Sequence, residues 1–163
     1  MDKNFYITTP IYYVNDKPHI GHAYTTILAD VLARFNRGMG KDTFFLTGLD
    51  EHGQKVQQAA QNSGMSPKEH CDVMAPRFTV LWKRLHISND DFIRTTDERH
   101  KKVVKKVLEI VSERGDIYES EYEGLYSISE ERFITEKEAD SGMYRDIKKL
   151  KEKNYFFKMS KYQ

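Results

Sequence analysis

A strand pattern, a polar loop, a long helical pattern and a second strand pattern follow one another within the first fifty residues, and that order leaves few folds open. Residues 5–9 read as a buried strand. Ile20, Ala23, Tyr24, Ile27, Leu28, Val31, Leu32 and Phe35 then recur at the i, i+3, i+4, i+7 spacing of a helix whose apolar stripe faces a core. Gly38-Met39-Gly40 should stop that helix, with Arg34 and Arg37 suiting its negative end. Residues 43–47 read as the second strand. A β-α-β unit crosses over right-handedly onto a parallel sheet, so the loops after both strands open on one edge, where open α/β sheets bind ligands. That topology should gather Tyr13, His19, His22 and Asp50.

The junction Tyr12-Tyr13-Val14-Asn15-Asp16-Lys17-Pro18-His19-Ile20-Gly21-His22 carries the chemistry. The first-turn N–H groups and the positive dipole end of the helix favour an anion there, and Gly21 admits a planar or phosphate group close to the main chain. His19 and His22 share one helix face and can point at one ligand. From spacing alone, a metal pair or two surface residues near a cap remain open readings.

Further on, residues 53–62 suggest a short helix, and Ser66-Pro67-Lys68-Glu69 is a capping box with proline in the first helical position. The helix it opens should run to about Leu85, bent at Pro76, with Met74, Phe78, Leu81, Trp82 and Leu85 in the core. Residues 91–94 form a candidate third strand. Thr96 should begin a helix ending at Gly115, with Val103, Val104, Val107, Leu108 and Val111 inward and Lys101, Lys102, Lys105 and Lys106 in solvent. Beyond it, short runs at 117–118, 125–128, 143–147 and 155–159 suggest a small β-rich unit.

At 163 residues the chain can bury one core and carry an appendage. A net charge of +1 with 31% charged residues gives no basic excess of the kind that marks a nucleic-acid groove. Cys71 is the only cysteine, which excludes an intrachain disulfide and denies a thiolate-built zinc site its ligands. Neither a signal-type h-region nor a membrane-length apolar run is present, so no membrane partner and a cytoplasmic location are expected.

The run Thr8-Thr9-Pro10-Ile11-Tyr12-Tyr13-Val14-Asn15-Asp16-Lys17-Pro18-His19-Ile20-Gly21-His22-Ala23-Tyr24-Thr25 resembles the first signature of class I aminoacyl-tRNA synthetases, with the lead-in of the methionyl-tRNA synthetase family. Phe45-Leu46-Thr47-Gly48-Leu49-Asp50-Glu51-His52-Gly53 is similar to that family's second strand and loop, and the likeness extends to Gln163.

The resemblance implies an α/β fold: a Rossmann-like parallel sheet with helices on both faces. Residues 1–115 would be the first half of the nucleotide-binding domain, and 116–163 the start of a connective-peptide insertion. The family's insertion often carries a cysteine-rich zinc knuckle. Ser127 and Ser129 stand where its first cysteine pair would begin, and His70-Cys71 cannot both reach one metal, so no zinc is expected. Lys158-Met159-Ser160-Lys161 copies the second class I signature, but Tyr155-Phe156-Phe157 before it and Tyr162-Gln163 after it match a strand of the insertion instead.

The implied partners are methionine, ATP (as its magnesium complex) and tRNA(Met), in a reaction that forms methionyl-adenylate and then charges tRNA. Catalysis would rest on placement and charge stabilisation rather than on a covalent nucleophile. His19 and His22 would act on the phosphates, their proton affinity raised beside the polyphosphate, Gly21 would lie against the adenine, and Asn15 would join them. Asp50 would hold the methionine ammonium group, Tyr13 would close over the thioether, and Pro10, Ile11 and His52 would complete the substrate site. The alternatives are a truncated nucleotide-binding fragment, a non-catalytic interaction protein on this fold, or another nucleotidyltransferase with paired histidines. The chain alone is expected to be inactive and prone to self-association along the unpaired edge of its third or innermost strand.

Overall fold

The computed structural model describes residues 3–163 except Ile128, Glu131 and Arg145, with Glu152 described by its main chain alone. It divides into two compact units, Met1–Val103 and Val104–Gln163.

In the first unit, β1 (Asn4–Thr8), β3 (Asp42–Asp50) and β4 (Asp91–Arg94) form a parallel sheet with β3 between the other two, and a two-residue strand β2 (Tyr12–Tyr13) extends the β1 side. The pairing follows from two crossovers in the same direction. One runs through α1 (Ile20–Gly38), the other through α2 (Gln54–Asn62) and α3 (Pro67–Arg84). Ser66 and Glu69 cap α3 reciprocally, with Pro67 at its start, and the helix continues through Pro76.

One face of β3 is buried at Thr43, Phe45, Thr47 and Leu49. Leu49 joins Val56, Met74, Phe78 and Trp82 in one cluster, which Leu81 and Leu85 flank. Phe45 joins Ala29 and Ala33 in another. Both clusters draw on the same strand face, as the two-residue period requires. On the opposite face Tyr6 and Phe44 are exposed and stack 6.0 Å apart.

Helix α1 forms where the periodicity predicts and stops at Met39, but its expected inward stripe faces out. Among the large side chains of that stripe, exposure runs from 41% at Ile27 to 87% at Ile20. The inward stripe is Thr26, Ala29, Asp30, Ala33 and Asn36 instead. Two alanines let the helix sit close on Phe45, and polar groups do the rest: Thr26 bonds Tyr12 at 2.9 Å, and Asp30 accepts from Ser88 N and Oγ and from Arg34 Nε at 2.6–2.7 Å. Burial opposes the Asp30 charge, but the bonds from Ser88 and Arg34 outweigh it and hold that carboxyl below its usual range. Helix α4 (Glu98–Glu113) departs from expectation in the same way: Val103, Val104, Val107 and Leu108 are exposed and none of its residues is buried. Apolar spacing identifies a helix without saying what covers it.

The second unit is built on one long hairpin, β5 (Ile117–Ser127) and β7 (Ile147–Phe157), antiparallel over eleven pairs, with β6 (Arg132–Ile134) on the far side of β5 and a short α5 (Glu136–Asp140). The separate short runs expected from apolar residues merge because a charge alternation continues the strands. Glu119, Glu121 and Glu123 pair diagonally with Lys153, Lys151 and Lys149 at 2.9, 3.5 and 2.8 Å. Ile128 and Arg145, which belonged to two of those runs, lie outside the described residues.

Candidate functional site

Strand β1 ends at Thr8, and the chain stays tied to β3 through Thr9 N to Leu46 O and through the buried hydroxyl pair Thr9–Thr47 at 2.7 Å. Strand β2 then sets Tyr12 opposite Leu49 and Tyr13 opposite Asp50. Side chains alternate, so Tyr12 turns into the core against Phe78 and Trp82 while Tyr13 stays 39% exposed, with the Lys55 ammonium 5.8 Å from its ring. Tyr13 and Asp50 are thereby neighbours at the carboxyl ends of adjacent parallel strands.

The histidines form their own cap. His19 is the N-cap of α1, and its Nδ1 accepts from Gly21 N at 3.1 Å. His22 reaches back, its Nδ1 accepting from His19 N at 3.1 Å. The two rings stack 3.8 Å apart. A Cβ at position 21 would lie 3.0 Å from the His19 ring, so glycine is what allows the ring to fold over the helix end. Two of the N–H groups expected to face an anion are therefore already taken by imidazole nitrogens. Because both Nδ1 atoms accept, each neutral ring carries its proton on Nε2, and those N–H groups are the donors available to a ligand. Burial, and then the charge of His19, pushes His22 below the usual imidazole range. In the free site His22 is thus a neutral donor.

Ile11, Tyr12, Tyr13, Asn15, Asp16, Lys17, His19 and His22 line one cleft of about 420 Å³. Asn15, Ile11, Tyr13 and both histidines thus share one cleft. Pro10 is exposed on the approach to β2, while Asp50 is the last residue of β3 and His52 lies in the loop that follows it. There the His52 N–H donates to Asp50 Oδ1 at 3.3 Å.

That loop is held by residues that sequence reasoning passed over. The Glu51 side chain is fully buried and receives Arg94 Nε at 2.6 Å and the Thr96 hydroxyl. Arg94 also binds Asp72 at 2.6 Å. Thr95 Oγ1 accepts from Glu51 N and contacts His52 Nδ1, each at 2.9 Å. Arg94 ends the third parallel strand and Thr95 and Thr96 follow it, so the rule that placed the first two loops on one edge also marks them. Cys71 lies beneath, its thiol pushed up to about 11 by burial first and then by Glu51, which makes it a packing residue rather than a nucleophile.

In the second unit Lys161 Nζ meets both carboxylate oxygens of the buried Asp116 at 2.8 and 2.9 Å, and the Tyr162 hydroxyl donates to the same group at 2.7 Å. The Lys158-Met159-Ser160-Lys161 stretch is engaged within its own unit. At the position of the family's zinc knuckle, the hydroxyls of Ser127 and Ser129 and the Ser129 N–H bond Asp146. Hydroxyls already bonded to a carboxylate do not fit a zinc site, and His70 is bonded to Val14 O at 2.8 Å. Among the described residues no three His, Cys, Asp or Glu side chains converge for a metal.

The family model described as tRNA synthetases class I (M) matches residues 5–148. The chain belongs to that family. It is 55% identical to the methionine–tRNA ligase of Fusobacterium nucleatum over 99% of its own length, and 54% identical to that of Thermotoga maritima over 98%. It spans about a quarter of the length of these relatives, 26% and 27%. Mycobacterium tuberculosis methionyl-tRNA synthetase in complex with methionyl-adenylate superimposes with a TM-score of 0.90 at 40% identity, over 99% of this chain and 33% of that one. The parallel sheet with its crossover helices is accordingly the class I synthetase catalytic fold. No helix among the described residues is long and apolar enough to cross a membrane.

Proposed function

We propose that this segment is the methionine- and ATP-binding part of a cytosolic methionine–tRNA ligase. In the enzyme that carries it, a carboxylate oxygen of methionine attacks the α-phosphate of magnesium-bound ATP, the bond to the bridging oxygen breaks, and pyrophosphate leaves. The methionyl group of the adenylate then passes to the terminal adenosine of tRNA(Met), releasing AMP. The observation that carries this reading is the stacked pair His19 and His22 at the start of α1, beside a cleft that Tyr13 shares, with Asp50 in register next to Tyr13.

The Nε2–H groups of His19 and His22 donate to phosphate oxygens as charge moves towards pyrophosphate, a role in which preorganised donors outperform water. Gly21 and Asn15 border the nucleotide. Asp50 takes the methionine ammonium group, with its carboxylate oriented by the His52 N–H. Tyr13, Pro10 and Ile11 supply the apolar surface a thioether needs. A metal other than the magnesium of ATP has no part in this scheme. The isolated chain self-associates through the exposed stripe of α1 and the outer edge of β1, whose one partner among the described strands is β3.

Asp50→Asn in the enzyme tests the assignment. Loss of a charge-assisted bond to ammonium raises KM for methionine about ten-fold or more, with KM for ATP within about two-fold. An equal rise in both constants, or none, removes Asp50 from the ammonium site.

A further inference from the structure

We propose that Thr95 is a positioning residue: it fixes His52 as the Nε2–H tautomer and, through the turn that His52 makes with Asp50, sets the carboxylate assigned above to the methionine ammonium group. The inference rests on that assignment for its functional half and on hydrogen-bond accounting for its structural half.

Thr95 follows β4 directly, and its N–H bonds Leu49 O at 3.2 Å, so its backbone is fixed to the sheet edge from which the Asp50 loop departs. Its side chain is buried, with the residue 6% exposed. The Glu51 N–H donates to Oγ1 at 2.9 Å. A buried hydroxyl must also place its own hydrogen. Among the described residues, the other polar atom bonded to Oγ1 is His52 Nδ1, also at 2.9 Å. If Nδ1 carried a proton, Oγ1 would receive two donors and its hydrogen would have no acceptor. With the hydroxyl donating, Nδ1 accepts, and the neutral ring holds its proton on Nε2.

The consequence reaches Asp50 through two bonds of one residue. The His52 ring is clamped to Thr95, and the His52 main-chain N–H donates to Asp50 Oδ1 at 3.3 Å. Glu51, between them, is fixed by Arg94 and Thr96. The clamp therefore spans the two loops at the carboxyl ends of β3 and β4.

Long-range ¹⁵N–¹H correlation spectra of the wild-type chain, taken well above neutral pH, give the first readout: His52 shows a protonated Nε2 and a bare Nδ1. Thr95→Val turns that pattern into a mixture of tautomers, and Thr95→Ser restores it. In the enzyme, Thr95→Val raises KM for methionine about five-fold or more, the weight of one hydrogen bond, while kcat and KM for ATP stay within about two-fold. Thr95→Ser returns KM to within about two-fold of wild type. A wild-type ring protonated on Nδ1 overturns the proposal, and so does a lost tautomer lock that leaves the methionine KM unmoved. If Thr95→Val does not fold, the wild-type and Thr95→Ser spectra decide the matter. Asp50→Asn with an unchanged methionine KM would remove the substrate assignment while the tautomer result stood.

Discussion

Replacing Arg94 by methionine isolates the electrostatic support of the Asp50 loop. The Glu51 side chain has no exposed surface, and its two oxygens meet Arg94 Nε and the Thr96 hydroxyl. Removing the guanidinium leaves a full charge in a dry place with one hydroxyl for company, a change that costs about 3–5 kcal/mol when a buried pair is broken from one side. Arg94 is 25% exposed, so water enters the vacated space in part, and its second pair, with the 43% exposed Asp72, adds less than about 1 kcal/mol. The expected loss is about 3 kcal/mol. At a urea m-value of about 2 kcal/mol/M for a domain of this size, the midpoint falls by roughly 1.5 M. Trp82, the single tryptophan, is 3% exposed against Phe78 and reports the transition by fluorescence. The double variant Glu51→Gln/Arg94→Met removes the orphaned charge and recovers at least about 1 kcal/mol of the loss. A midpoint shift below about 0.3 M, or a double variant as unstable as the single one, would mean that Arg94 does not neutralise a buried Glu51 charge.

Gly48→Ala places a Cβ 2.1 Å from Ile93 O on the neighbouring strand, so β3 and β4 must separate; the expected cost is about 1–3 kcal/mol by the same urea assay. His22, whose pKa burial and His19 depress, is neutral in the fold, so the unfolded chain binds more protons between about pH 6.5 and the lower folded value; stability is whole above about pH 6.5 and declines below it. His22→Asn flattens that part of the stability profile, and a wild-type midpoint that rises on acidification would contradict the sign. Sedimentation of the isolated chain gives a mass above that of the monomer, and Leu28→Glu/Val31→Lys on the outward stripe of α1 returns it to the monomer with unchanged circular dichroism.

Much of the architecture was legible because local rules agreed. The glycines at the end of α1, the Ser66 to Glu69 box and the β-α-β order each constrain the chain separately and point the same way. The histidine pair and its loop were legible as a motif. What the sequence hid is which side of a helix turns inward. The apolar stripe of α1 has the right period, yet Thr26 and Asp30 face the sheet because Tyr12, Ser88 and Arg34 satisfy them, and those partners lie 14, 58 and 4 residues away. The long hairpin hid for a related reason, since alternation was sought in apolar residues and its strands alternate in charge. Thr95 was missed because its importance depends on a buried hydroxyl having one acceptor, a fact of three-dimensional accounting.

In the proposed function the pair His19 and His22 carries adenylate chemistry and the Lys158-Met159-Ser160-Lys161 stretch does not. Methionine-dependent ATP–pyrophosphate exchange, measured in the enzyme that carries this segment, compares the two directly. His22→Ala lowers the exchange rate about ten-fold or more, whereas Lys161→Ala, which severs a bond to Asp116 within the hairpin unit, leaves it within about three-fold of wild type. Comparable losses from the two substitutions, or an undiminished rate in His22→Ala, would take the adenylate chemistry away from the histidine pair.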